Sequence, residues 1–158
     1  MDKCSYEQAH KVASELFPMG FISIERGRNN WVFEYENRIL MIPRHERVKS
    51  YAIRVKATQF LSSKGIPVSE ILDYSPGNNG TPEYLVLNRA DGEHPDLLKS
   101  TSLERERVHR SAGEILVAIH NLDSLRYGRF NLDLLGEDSS WVEFTDNFFA
   151  ESIRRVKK

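Results

Sequence analysis

The hydrophobic positions of this chain change period several times, and each change marks an element. Residues 5–16 carry Tyr6, Ala9, Val12, Ala13 and Leu16 at spacings of three and four, one face of a helix. Ser5 followed by Gln8 makes a capping box at its start, and Pro18 with Gly20 ends it. Residues 21–25, 31–36 and 38–42 alternate instead, so they are predicted as strands. Glu36 and Asn37 join the second to the third, and Asn tolerates the positive φ that a tight hairpin requires. Residues 47–63 return to helical spacing through Val48, Tyr51, Ala52, Val55 and Leu61, with Gly65 and Pro67 as the stop. Residues 68–74 and 84–87 read as two more strands, separated by the turn SPGNNGTP.

Beyond Gly92 the pattern is helical. Thr101 and Glu104 form a second capping box, and Val108, Ala112, Ile115, Leu116, Ile119 and Leu122 follow at helical spacing. Residues 127–136 read as a loop. Ser139 or Ser140 then caps a last helix bearing Trp141, Val142, Phe144, Phe148, Phe149 and Ile153. Strands first and helices afterwards make the chain α+β.

Composition narrows the possible roles. The 158 residues are one domain's worth, and 40% hydrophobic with 28% charged residues fits a soluble globular protein. A formal net charge of -1 gives no electrostatic case for nucleic acid or an anionic membrane. Cys4 is the only cysteine, which excludes an intramolecular disulfide and a thiolate metal site. The five histidines include no pair four residues apart, so no metal site is expected. No run approaches the ~18 apolar residues of a membrane span, and the first ten residues carry no secretory pattern. The expected location is cytoplasmic. No Gly-x-Ser-x-Gly elbow is present either.

Three segments carry candidate chemistry. The turn ERGRNN, residues 25–30, has Gly27 where a backbone that approaches phosphate oxygens needs a small residue; an ordinary hairpin uses Gly and Asn as well. The strand ILMIPR follows at residues 39–44, and YLVLNRADG at residues 84–92. In this order, with KGIPVSEILDY between them, the segments resemble the N-terminal part of the aminoglycoside phosphotransferase family, whose fold is related to that of protein kinases. The resemblance runs from about Ile22 to Trp141.

It implies a kinase-like N-terminal lobe, a five-stranded antiparallel sheet with one helix. Residues 1–87 would form that nucleotide-binding lobe with its preceding helix, 88–96 a linker, and 97–158 the first helices of a truncated C-terminal lobe. The cofactor implied is ATP or another nucleoside triphosphate, with magnesium. Gly27, Arg28, Asn29 and Asn30 match the family's Gly-x-x-Asn turn over the phosphates. Ile24, Val32 and Ile39 are further cofactor-binding positions that the resemblance implies, and Asn88 and Ala90 lie in the hinge, where backbone groups recognise adenine. Met41 occupies the position of the family's phosphate-binding cation.

Two departures stand out. A thioether supplies no charge at Met41, and Arg38 and Arg44 lie three residues away, on the opposite face of a strand. The helix position that the family fills with a glutamate, to hold that cation, is Arg54. Nucleotide is therefore expected to bind weakly. His120 and Asp123 in AIHNLD belong to a helical pattern and are not assigned to catalysis. No His-Gly-Asp or His-Arg-Asp signature occurs, and no metal-binding Asp segment follows it, so no residue is assigned as catalytic or metal-binding. The chain is expected to be inactive alone. It is otherwise one half of a split kinase, or a non-catalytic binding or regulatory module. Trp141, Phe144, Phe148 and Phe149 are expected to drive self-association or to seat a partner chain.

Overall fold

The computed structural model describes residues 4–24, 29–45, 50–78, 80–92, 101–122, 127–131 and 133–156. Helix α1 (Tyr6–Leu16) begins where the capping box places it: Ser5 Oγ accepts the Gln8 N–H at 3.2 Å, and Gln8 Oε1 accepts the Ser5 N–H at 2.9 Å. Its stripe buries Ala9, Val12 and Ala13. Five strands follow, β1 (Ile22–Ile24), β2 (Asn30–Tyr35), β3 (Arg38–Pro43), β4 (Ile71–Ser75) and β5 (Tyr84–Asn88), with helix α2 (Ser50–Ser63) between β3 and β4. They form one antiparallel sheet in the order β1-β2-β3-β5-β4.

Two local details differ from the periodicity. Glu36, with φ 51°, takes the left-handed position in the β2–β3 turn, while the Asn37 carbonyl accepts the Arg89 N–H at 2.8 Å. Strand β4 starts at Ile71 rather than at Val68. Pro67 offers no N–H to a ladder, and Ile66 is tied back to the Leu61 carbonyl at 3.1 Å, so the chain joins the sheet only where Glu70 O accepts the Asn88 N–H.

The sheet has two unlike faces. On one, Phe33, Leu40, Ile42 and Val86 are buried beneath Ala9, Val12 and Ala13 of α1 and Phe17 just past its end. The hydrophobic effect rewards each such fully buried large side chain by about 1.5–3 kcal/mol. On the other, α2 sets Tyr51 against Leu85 and Leu87, with Met41, Val55, Ile71 and Tyr74 packed around them. That second cluster covers the β3-β5-β4 side of its face.

The remainder comprises α3 (Ser102–His120), β6 (Tyr127–Phe130), β7 (Gly136–Asp138) and α4 (Trp141–Val156). Strands β6 and β7 form a small antiparallel hairpin where the sequence predicts a loop. Its strands are too short to display alternation. The turn is made by Asn131, whose Oδ1 accepts the N–H groups of Asp133 and Leu135 at 2.8 and 3.1 Å, and by Leu134 at φ 58°. The cap of α3 forms as expected, with Thr101 N–H on Glu104 Oε2 at 2.7 Å and Glu104 N–H on Thr101 Oγ1 at 3.3 Å. Yet no residue of α3 is buried, and Leu103, Val108, Ile115 and Leu116 lie open to solvent. On α4, Trp141, Phe148 and Phe149 are likewise exposed, their rings running with Phe144 in a line of edge and tilted contacts.

Candidate functional site

In an antiparallel ladder, residues directly opposite one another project to the same side. The register puts Ile24 opposite Val32, Val32 opposite Met41, and Met41 opposite Leu85. The next row pairs Ile22 with Glu34, Glu34 with Ile39, and Ile39 with Leu87. Ile24, Val32, Ile39 and Met41 therefore share the face that α2 covers only in part, and all four are half-buried. The sequence-derived set is brought together as far as these four residues are concerned.

The rest of that set is distributed differently. Gly27 and Arg28 lie outside the described residues. Asn29 is exposed, its carbonyl accepting the Arg44 N–H at 2.9 Å. Asn30 is engaged: its Oδ1 accepts the Tyr51 hydroxyl at 3.0 Å, and its carbonyl accepts Arg44 Nε at 3.2 Å. It ties β2 to α2. Asn88 pairs with Arg38, of opposite parity to Ile39, and its Nδ2 donates to Glu70 Oε2 at 3.2 Å. Its side chain is thus not aimed into the half-open face, and the stretch from Asn88 to Ala90 follows directly on Leu87, which lies opposite Ile39 on that face. In that stretch the N–H groups of Asn88 and Arg89 are taken by Glu70 and Asn37, whereas the N–H of exposed Ala90 has no partner among the described residues.

Strand β3 runs against β2 without a bulge from Arg38 to Pro43, so the parity of Met41 stands. Arg44 stacks on the Trp31 ring at 3.9 Å, away from that face. Arg54 of α2 instead comes to Met41: its Nη1 donates to the thioether Sδ at 3.5 Å. The helix position and the strand position singled out in the sequence thus meet in space.

Two features of the site had little signal in the sequence. Arg89, the residue after β5, forms an ion pair with Glu34 of β2 at 3.0 Å, beside Ile39. The only hint was a carboxylate at an inward position of a strand rich in apolar residues. The second is Glu83, just before β5. Burial pushes its carboxyl up from the ordinary value, while the Tyr74 hydroxyl and the N–H groups of Tyr51 and Ala52 at the start of α2 pull it back. The carboxylate thereby caps α2 from across the fold. The turn that delivers it requires glycine at Gly77: φ is +73°, and a Cβ would stand 2.7 Å from the Glu83 nitrogen.

Other candidates stay apart. His120 is exposed at the end of α3, and Asp123 lies outside the described residues. Among the described residues no group of three His, Cys, Asp or Glu gathers to hold a metal ion. Among those residues, too, no helix is long and apolar enough to cross a membrane.

Comparison with known proteins gives this geometry a setting. Residues 21–154 match the family model described as "Phosphotransferase enzyme family" (APH). The fold matches a solved thermostable mutant of aminoglycoside phosphotransferase APH(4)-Ia in ternary complex with AMP-PNP and hygromycin B, at TM-score 0.65 and 19% identity. A second mutant of that enzyme, in complex with ADP and hygromycin B, matches at TM-score 0.61 and 20% identity. Each match covers 85% of this chain and 47% of the solved one, so the chain spans about half the length of these structures. No curated protein sequence is significantly similar to it.

Proposed function

Because the chain belongs to the phosphotransferase enzyme family, we propose that its sheet is the nucleotide-binding lobe of an ATP-dependent small-molecule kinase. The observation that carries this reading is the half-open face formed by Ile24, Val32, Ile39 and Met41, beside a hinge whose Ala90 N–H is unclaimed among the described residues. The adenine ring packs on Ile24, Val32 and Ile39, whose apolar surface excludes water from its faces. Backbone groups of Asn88 and Ala90 read its edge. In this reading the family's Gly-x-x-Asn turn over the phosphates corresponds in sequence to Gly27, Arg28, Asn29 and Asn30. The nucleotides present in the two solved relatives support this assignment.

Phosphoryl transfer also requires a base on the acceptor hydroxyl and magnesium to neutralise charge on the phosphates. No residue of this chain is assigned either task, because its sequence has no His-Gly-Asp or His-Arg-Asp segment. The chain by itself therefore binds nucleotide without transferring phosphate. Calorimetry is expected to detect ATP and ADP, while an assay with ATP, magnesium and a panel of aminoglycosides stays at background. Turnover that vanishes when residues of this chain are mutated would overturn the proposal.

The exposed apolar side of α3 and α4 favours a companion body. Where nothing covers it, the chain self-associates through Trp141, Phe144, Phe148 and Phe149. Light scattering over a dilution series should then show assemblies that a Phe148→Asp, Phe149→Asp variant lacks. A monomer at every concentration would refute this part. The reading places the protein in the cytoplasm, where ATP is abundant.

A further inference from the structure

The family's phosphate-binding cation is missing from β3, and the position that should hold its carboxylate partner carries a second departure, Arg54. We propose that these are one change: Arg54 of α2 supplies the positive charge for the nucleotide's α and β phosphates, in place of a lysine at position 41. The proposal rests on the nucleotide-lobe reading above and deepens it.

Geometry supports the exchange. The sulfur of Met41 is the third atom of its side chain, where the aliphatic stem of a lysine would pass on its way to the ammonium. Arg54 Nη1 lies 3.5 Å from that sulfur, so the guanidinium arrives from the helix beside the place a strand lysine would have served. Met41 is half-buried in the row that runs through Val32 and Ile24 toward the β1–β2 connection, which points the charge at the phosphate end of the face. A thioether is a weak acceptor and does not neutralise a cation.

Among the described residues no carboxylate pairs with that charge. The ion pairs among the described residues join Glu34 to Arg89 and Glu106 to Arg110, and neither involves Arg54. Glu83, the acid at the start of α2, is occupied by the Tyr74 hydroxyl and the N–H groups of Tyr51 and Ala52. Arg54 is exposed on the helix, so a ligand reaches it without rearrangement of the core. Guanidinium offers a planar fork that matches two phosphate oxygens at once. A glutamate at position 54 would face no cation on the strand, whereas an arginine there meets the anion directly.

The experiment compares ATP with adenosine. Parent protein and an Arg54→Gln variant are titrated with each by calorimetry, and thermal unfolding checks that both are folded. Loss of one charge-assisted contact is expected to weaken ATP about tenfold and to leave adenosine unchanged. Arg54→Lys, which retains the charge but not the fork, should fall between the two. In the parent, raising the salt concentration should weaken ATP and spare adenosine. Equal ATP affinity in parent and Arg54→Gln, with adenosine still bound, would overturn the role of Arg54 and leave the nucleotide lobe standing. Absence of binding of either ligand to folded parent would overturn the lobe reading, and this inference with it.

Discussion

The two faces of the five-stranded sheet are built from the same strands and treated in opposite ways. Under α1, Phe33, Leu40 and Ile42 are wholly removed from solvent and close a core of aliphatic and aromatic side chains. One residue along each strand, on the other side, Val32, Ile39 and Met41 are left half-buried, because the apolar side chains of α2 pack around Leu85 and Leu87, and α2 reaches β2 through the polar contact of Tyr51 with Asn30. A sealed face stores stability, and a partly sealed one leaves apolar surface that another body can still cover. The same contrast separates the sheet from α3: its cap is complete, but its apolar stripe has nothing described against it. Local signals can finish a helix without giving it a place to pack.

Substitutions that differ only in the face they strike should separate these roles. The largest effect is expected from Phe33→Ala, which opens a cavity beneath α1 and should cost about 3–5 kcal/mol. Chemical denaturation would measure it. A loss below about 1 kcal/mol, far under the usual cost of a core cavity, would mean that the face is not sealed. Val32→Ala, its neighbour on the open face, should cost only about 1 kcal/mol in the same measurement, since two half-buried methyls are removed. Its nucleotide affinity should nevertheless fall out of proportion to that small loss. If the two variants lost stability equally and bound ATP equally, the division between the faces would collapse.

The smallest effect is expected at Glu34 and Arg89. Their ion pair joins a side chain 21% exposed to one 49% exposed, so solvent screens it strongly. Arg89→Ala should change stability by about 0.2–1 kcal/mol at most. A large destabilisation would show that the pair closes the open face more tightly than its exposure suggests.

Much of this organisation was legible in the chain. The period of its apolar residues marks α1, α2, α3, α4 and the strands of the sheet, and the pairs Ser5–Gln8 and Thr101–Glu104 mark helix starts that the structure reproduces atom by atom. Alternation alone set Met41 on one side of β3 and Arg38 and Arg44 on the other, since side-chain direction in a strand depends only on counting. The β6–β7 hairpin escaped because strands of four and three residues are too short for a period to show.

What counting cannot supply is which partner covers each face. The guanidinium of Arg54 meets Met41 from 13 positions away, and the Tyr51 hydroxyl meets Asn30 from 21. The Arg89–Glu34 ion pair spans the sheet from β2 to the residue after β5. These encounters depend on how α2 settles on β3 and β5 and on where the sheet order places the end of β5. Periodicity is a property of neighbours along the chain. The sealing of one face, the half-open state of the other and the charges that border it arise from contacts between distant segments, and only the packed tertiary structure decides them.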